Sequence, residues 1–155
     1  MTRLLACLLL TALIGPAASA FGARDRAEVI VPEGWQQIYN DWHFAPAVKI
    51  DGRVYLSGVV ASPRDGDPEA GYRHAFEQIS IILRASGASL NDIVEMTTFH
   101  TDLQAQLPAF TAVKDQFIRA PYPAWTAIGI TELAVPDGIV EIKVIAHIAH
   151  LIKTD

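Results

Sequence analysis

Cysteine is almost absent from this chain of 155 residues, whose single cysteine is Cys7. Residues 1–20 combine a positive charge at Arg3, an apolar run and the small-residue pattern Ala18-Ser19-Ala20, which predicts a signal peptide cleaved after Ala20. The apolar run is too short to cross a bilayer as a stable helix, so we expect export without stable membrane insertion. The exported chain would then contain no cysteine, which excludes a disulfide framework, a thiol nucleophile and a cysteine-bound metal.

Positive charge is also scarce, with 12 Lys and Arg against 17 Asp and Glu and a formal net charge of -5. The basic residues form no cluster, so nucleic acid and anionic membranes are poor candidates as partners. The sequence has neither a glycine-rich phosphate loop nor histidines at the spacing of a helical metal site, and we expect no cofactor and no metal. The roles of His43 and His100 stay open, with a polar contact at a pocket rim more plausible than zinc ligation.

Hydrophobic periodicity predicts strands at residues 47–50, 53–58, 93–99, 123–130 and 139–148, and helices at 68–85 and about 106–117. Each helix has one apolar stripe, so both should cover the same side of one mixed sheet. The order β-β-α-β-α-β-β therefore predicts an α+β fold, a two-layer α/β sandwich. We expect a signal peptide at 1–20, an N-terminal lead at 21–43 and one domain at 44–150. The other sheet face is also apolar, which favours closed cyclic assembly.

Two residues in the last two predicted strands are not needed by a strand core. Trp125 lies near the start of one strand, and Glu141 is a carboxylate within an apolar run. One interpretation is that both side chains face a single ligand pocket. The other is a packed tryptophan and a solvated or edge-facing glutamate.

Five motifs, in this order and spacing, resemble the reactive-intermediate deaminase family, RidA, also called YjgF. The resemblance runs from about Phe44 to Ile148. The motifs are a strand ending in Ser-Gly at 52–58, a Gly-Ala-Ser-x-x-Asp-Ile-Val turn within 85–94, and the segments 99–103, 110–113 and 140–146. The resemblance implies a chorismate-mutase-like fold with helices outside a β-lined trimer core, and a pocket at each of three subunit interfaces.

The resemblance also implies a chemistry. The family's deaminases hydrolyse short-lived enamines and imines, and the Arg of a Pro-Ala-Arg motif grips the substrate carboxylate through two hydrogen bonds. That Arg falls on Trp125, which has one N–H donor and no charge. The family's late Glu falls on Glu141, the candidate general base. Because hydrogen bonds to charged groups contribute about 1.5–3 kcal/mol each, losing the Arg predicts loss of 2-aminoacrylate-type deaminase activity.

Other family positions carry apolar or altered side chains here. The Gln that often follows Ser57-Gly58 is Val59, the Asn of the second helix falls near Lys114, and the Tyr of the N-terminal segment is Phe44. We expect the pocket to persist with Glu141 as its main polar group. Its candidate ligand-binding residues are Trp125, Phe44, Val59, Ser57, Gly58, Tyr122 and Lys114.

Three hypotheses follow from this pattern. The first is an exported trimer that binds a small, flat ligand bearing an amine or a cation, because an aromatic face beside a carboxylate suits a cation. The second is a deaminase or hydrolase that acts on a neutral imine-like or amide substrate with Glu141 as base, since burial beside Trp125 would raise the pKa of that carboxyl. The third is a structural trimer with a vestigial pocket.

Overall fold

One mixed sheet forms the first layer of the protein, and two long helices cover one side of it. The computed structural model describes residues 22–148, so the predicted signal peptide and the last two residues of the predicted domain lie outside the described part. The strands are β1 (Glu28–Ile30), β2 (Ala47–Ile50), β3 (Arg53–Leu56), β4 (Val59–Ala61), β5 (Ile93–His100), β6 (Ala124–Gly129) and β7 (Val140–His147). The helices are α1 (Gln36–Trp42), α2 (Pro68–Ala85) and α3 (Leu103–Phe117).

The sheet order is β1-β2-β3-β7-β5-β6, and β4 pairs with β7 beyond the end of β3. All pairs are antiparallel except β5 with β6, which α3 connects as a crossover. β7 therefore lies in the middle of the sheet, and β6 is an edge strand. The predicted fold class, one mixed sheet with its helices on one side, is confirmed.

Helix capping follows the sequence signals. The Asp67 carboxylate accepts a hydrogen bond of 2.8 Å from the backbone N–H of Glu69 at the start of α2. Asp102 caps α3 in the same way through Ala105, at 3.3 Å. The cap at Asp102 starts α3 at Leu103, before the predicted position. None of the helices in the described part of the chain is long and apolar enough to cross a membrane.

The core lies between the sheet and α2 and α3. Phe110 of α3 packs edge-on against Tyr72 and tilted against Phe76, with ring centroids 5.4 and 5.9 Å apart. All three rings are fully buried. Since burying an aromatic or branched side chain contributes about 1.5–3 kcal/mol, this contact anchors α3 on α2. The strand side of the core comes largely from alternate residues of β7, namely Val140, Ile142, Val144 and Ala146.

The segment before β2 is more ordered than predicted. The predicted loose lead contains β1, which pairs with β2. The same N-terminal lead contains α1, which ends where His43 takes the left-handed conformation at φ 53°. Neither element buries a full apolar stripe, so neither has a clear period in the sequence. The second predicted strand is also broken at Ser57-Gly58, after which β4 begins.

A register shift in β5 changes which residues face the core. Ile93 pairs with Ala146, but Glu95 pairs with Ile145, so Val94 is an extra residue on this strand. Ile93 is buried while Val94 is half exposed. Val94 and Met96 therefore do not share a face, because the bulge reverses the alternation at that point.

Gly71 lies where α2 passes closest to the loop after β4, and a Cβ at this position would come within 2.8 Å of the backbone carbonyl carbon of Ser62. Backbone cannot yield as a flexible side chain can. We therefore expect Gly71→Ala to lower the free energy of unfolding by about 1–3 kcal/mol through overpacking, although alanine is the better helix former. Urea unfolding measures this, with Ser80→Ala on the same helix as the control that changes little. An unchanged or higher midpoint for Gly71→Ala would contradict the packing.

Candidate functional site

Trp125 lies on the edge strand β6 and faces the helix layer. Its register partner on β5 is Met96, which is buried in the core, and partners side by side in a sheet face the same way. The indole ring is half buried and packs against Phe110, with ring centroids 6.1 Å apart. The side chain therefore forms a wall at the junction of β6 and α3.

A cavity of about 290 Å³ opens beside this wall. It is lined by Met96, Thr111, Lys114, Asp115, Ile118, Tyr122, Pro123 and Trp125. The volume is close to the lower end of the range for small-molecule sites, which is roughly 300–1,000 Å³. The structure thus brings three predicted site residues together: Trp125, Tyr122 and Lys114.

Lys114 is the charged group of this cavity. Its side chain is only 9% exposed and contacts the carboxylate of Asp115. Its Nζ atom lies 4.9 Å from the centroid of the Trp125 ring, a cation–π geometry. The ring face that we expected to receive a cationic ligand is therefore already occupied by a cation of the protein itself.

Behind Trp125, two buried polar residues continue into the core. The indole Nε1–H donates a hydrogen bond of 3.1 Å to Thr98 Oγ1, and Nε2 of His100 lies 3.0 Å from the same oxygen. Thr98 and His100 are fully buried. Burial lowers the pKa of His100, and the nearby amide side chain of Gln106 raises it by less. The rim contact that the sequence left open for His100 is excluded, since His100 is buried on the core face of β5.

Glu141 faces the other side of the sheet. Its neighbours on β7, Val140 and Ile142, are buried in the core, so the alternation along the strand turns Glu141 towards the face that carries no helix. Its side chain lies against Gly58, where an added Cβ would overlap the carboxylate and come within 2.8 Å of the Glu141 Cγ. Glycine is thus required at position 58 for this carboxylate to keep its position.

The remaining predicted site residues cluster near Gly58. Ser57 Oγ donates to the carbonyl oxygen of Ala45 at 2.7 Å, the hydrogen-bonding role expected of a strand-end serine. Phe44, Ser57, Gly58 and Val59 share an apolar hollow of about 190 Å³ with Trp35 and Ile82. Phe44 is 41% exposed, so this hollow lies at the surface.

A single subunit therefore does not bring Trp125 and Glu141 together, because they face opposite sides of one sheet.

The sequence analysis did not identify Thr98, Thr111 and Asp115 as residues of the site. One signal in the sequence could have placed Lys114 beside Trp125. Lys114 follows Phe110 by four residues on α3 and therefore shares its helix face.

His43 lies at the exposed end of α1. Within residues 22–148, no group of three His, Cys, Asp or Glu side chains is close enough to hold a metal ion.

Comparison with known proteins gives the family. The sequence model of the Endoribonuclease L-PSP family matches residues 36–148, starting before the predicted domain boundary. The RutC family protein YjgH of Escherichia coli K12 is 38% identical over 124 residues, which are 77% of this chain and 93% of that relative. The 3-aminoacrylate deaminase RutC of Acinetobacter baylyi is 32% identical over 127 residues, 78% of this chain and 98% of that relative.

A solved structure of protein YjgH has a TM-score of 0.71 at 34% identity, covering 81% of this chain and 98% of that one. The chain therefore belongs to the Endoribonuclease L-PSP family, the same YjgF/RidA family that its motifs indicated. The predicted resemblance is confirmed.

The buried imidazole of His100 predicts an acid-sensitive fold. In the unfolded chain the histidine takes up a proton as the pH falls through about 6.5, whereas burial keeps its folded pKa lower. Below that pH the unfolded state binds more protons, so stability should fall by up to about 1.4 kcal/mol per pH unit until the folded pKa is reached. His100→Gln should flatten this slope in urea unfolding at several pH values, whereas His74→Gln, at an exposed site, should not. Equal slopes in all three proteins would contradict the prediction.

Proposed function

We propose that this protein is an exported homotrimer that binds a small molecule at each subunit interface. One subunit contributes Trp125, Lys114 and Tyr122, and the next contributes Gly58 and Glu141. The observation that carries the proposal is the placement of Trp125 and Glu141 on opposite faces of one sheet. Two such half-sites can form one pocket only between subunits.

The surface of the subunit supports such an assembly. Tyr55 and Ile128 lie on the helix-free face of the sheet and are 39% and 41% exposed. Exposed apolar side chains on one sheet face are typical of an interaction surface. The Trp125 cavity lies at the β6 edge, a different surface from the face that carries Glu141. Contact between two unlike surfaces is heterologous, and heterologous contacts close into rings such as trimers.

The charged groups of the cavity limit the class of ligand that it can bind. Lys114 covers the indole face and would repel a cation placed there. The contact between Lys114 and Asp115 balances the charge on the Trp125 side of the pocket, and Glu141 of the next subunit would add a carboxylate on the other side. We therefore propose a small, flat ligand that is neutral or zwitterionic, with its polar group near Lys114, in place of the cationic ligand suggested by the sequence.

Export rests on residues 1–20 alone. A basic residue, a short apolar run and a small-residue cleavage pattern favour a signal peptide, and processing after Ala20 would release the mature chain.

The second candidate function is an imine or enamine deaminase with Glu141 as general base. A specific observation favours it: the relative RutC, named a 3-aminoacrylate deaminase, matches 78% of this chain. Lys114 would supply a positive charge near Trp125. An ammonium is a point charge, however, and cannot form the bidentate hydrogen bonds of a guanidinium. We therefore propose that 2-aminoacrylate-type turnover is absent or weak.

Cross-linking tests the two-subunit site without a ligand, because the mature chain has no cysteine. We expect the double variant Trp125→Cys/Glu141→Cys, treated with a short bis-maleimide of about 10 Å reach, to give covalent dimers and trimers on a reducing gel, since the two thiols meet across each interface. The control Trp125→Cys/Arg84→Cys places its second thiol on the exposed face of α2 and should remain mostly monomeric. A double variant that stays monomeric, or that links only within one chain, would contradict the proposed site.

Glu141→Gln separates binding from catalysis. The change removes a charge but keeps shape, so the unfolding midpoint should stay within about 0.5 kcal/mol of the wild type. We expect a ligand found by a thermal-shift screen of amines, imines and amino acids to bind about tenfold more weakly, with no turnover by either protein. Turnover by the wild type that Glu141→Gln abolishes would establish the second candidate instead. Unchanged binding by the variant would exclude Glu141 from the site.

A further inference from the structure

A series of buried polar groups on the core side of Trp125 holds its ring through hydrogen bonds. The indole N–H donates to Thr98 Oγ1 at 3.1 Å, and this oxygen lies 3.0 Å from His100 Nε2. Neither Thr98 nor His100 is exposed to solvent. The wall of the cavity is thus fixed by groups that the ligand cannot reach.

Two buried atoms near the end of this series have no hydrogen-bond partner among the described residues: Nδ1 of His100 and Oε1 of Gln106. Gln106 donates its Nε2–H to Thr101 Oγ1 at 3.0 Å, which leaves its oxygen as an acceptor. The geometry gives no hydrogen bond between these two atoms, and the nearby Gln106 amide raises the pKa of His100 by less than burial lowers it. Buried polar atoms are nearly always paired, so His100 Nδ1–H and Gln106 Oε1 are the natural partners.

Donor and acceptor counting decides the tautomer of His100. With the proton on Nδ1, Trp125 donates to Thr98, Thr98 donates to His100 Nε2, and the unpaired Gln106 oxygen remains as the available acceptor for the His100 Nδ1–H. With the proton on Nε2, the Thr98 hydroxyl would have to donate to the carbonyl oxygen of Thr126 at 3.5 Å, a poor distance. His100 Nδ1 and Gln106 Oε1 would then both be acceptors, and neither would have a donor.

We propose that His100, as the neutral Nδ1–H tautomer, is a positioning residue that acts through Thr98 to hold the Trp125 indole in place as the cavity wall. Phe110 completes the support, because it packs edge-on against His100 at 5.1 Å between centroids and against Trp125 at 6.1 Å. A ring held by one hydrogen bond and one aromatic contact has little freedom to rotate. The cavity beside it is therefore preorganised before any ligand arrives.

The test uses a mature chain with Trp35→Phe and Trp42→Phe, in which Trp125 is the only tryptophan. Thr98→Val keeps the side-chain shape and removes the hydroxyl. We expect the Trp125 indole N–H to exchange with solvent about tenfold faster or more, and its fluorescence anisotropy to fall. Thr126→Val changes the exposed residue next to Trp125 on the same strand and should alter neither signal. Equal exchange in the two variants would overturn the proposal.

His100 variants and the imidazole nitrogens give an independent readout. His100→Leu should release the indole as Thr98→Val does, whereas His100→Gln places an amide oxygen near the former Nε2 and should restore most of the protection. Nitrogen-15 shifts of the wild-type ring should show a protonated Nδ1 and an unprotonated Nε2, and a protonated Nε2 would overturn the proposal. Should His100→Leu fail to fold, Thr98→Val decides the question. These readouts need no ligand, so they stand or fail separately from the proposed function.

Discussion

Consecutive residues of a β-strand face opposite sides of the sheet, and this alternation decides where each candidate site residue of the protein lies. On β7 it buries Val140 and Ile142 under the helices and turns Glu141 to the other face. Along β6 it places Trp125 on the helix side, level with Met96 of β5. No rearrangement of side chains can bring these two residues together within one subunit, because the sheet itself lies between them.

The half of the proposed site that contains Trp125 depends on how α3 packs against β6. Phe110 sits at the centre, in contact with Tyr72 and Phe76 of α2, His100 of β5 and the indole ring. One turn later α3 brings the ammonium of its lysine over the same ring. A helix that is anchored by buried aromatics therefore positions both the charge and the wall of the cavity. The half of the proposed site that contains Glu141 depends instead on Gly58, whose lack of a side chain leaves room for the Glu141 carboxylate.

Much of the fold could be predicted from the sequence, because its main signals are local. The Asp51-Gly52 turn between two β-prone runs and the cap at Asp67 each mark an element boundary that the structure shows. Short elements without an apolar stripe, such as α1 and β4, leave no such signal. The candidate site was harder to predict from the sequence, because the sheet face on which each residue lies depends on strand pairing. The bulge at Val94 reverses that alternation, and the polar character of His100 hides its place in the core.

In the proposed trimer each subunit supplies half of each site, so the number of chains in the native particle is the most direct test. Sedimentation equilibrium of the chain from Phe21 onward, at micromolar concentration, measures that number without reference to any ligand. We expect a mass of three chains that persists on dilution. A mass of one chain would contradict it, because the carboxylate and the indole would then remain on opposite faces of an isolated sheet.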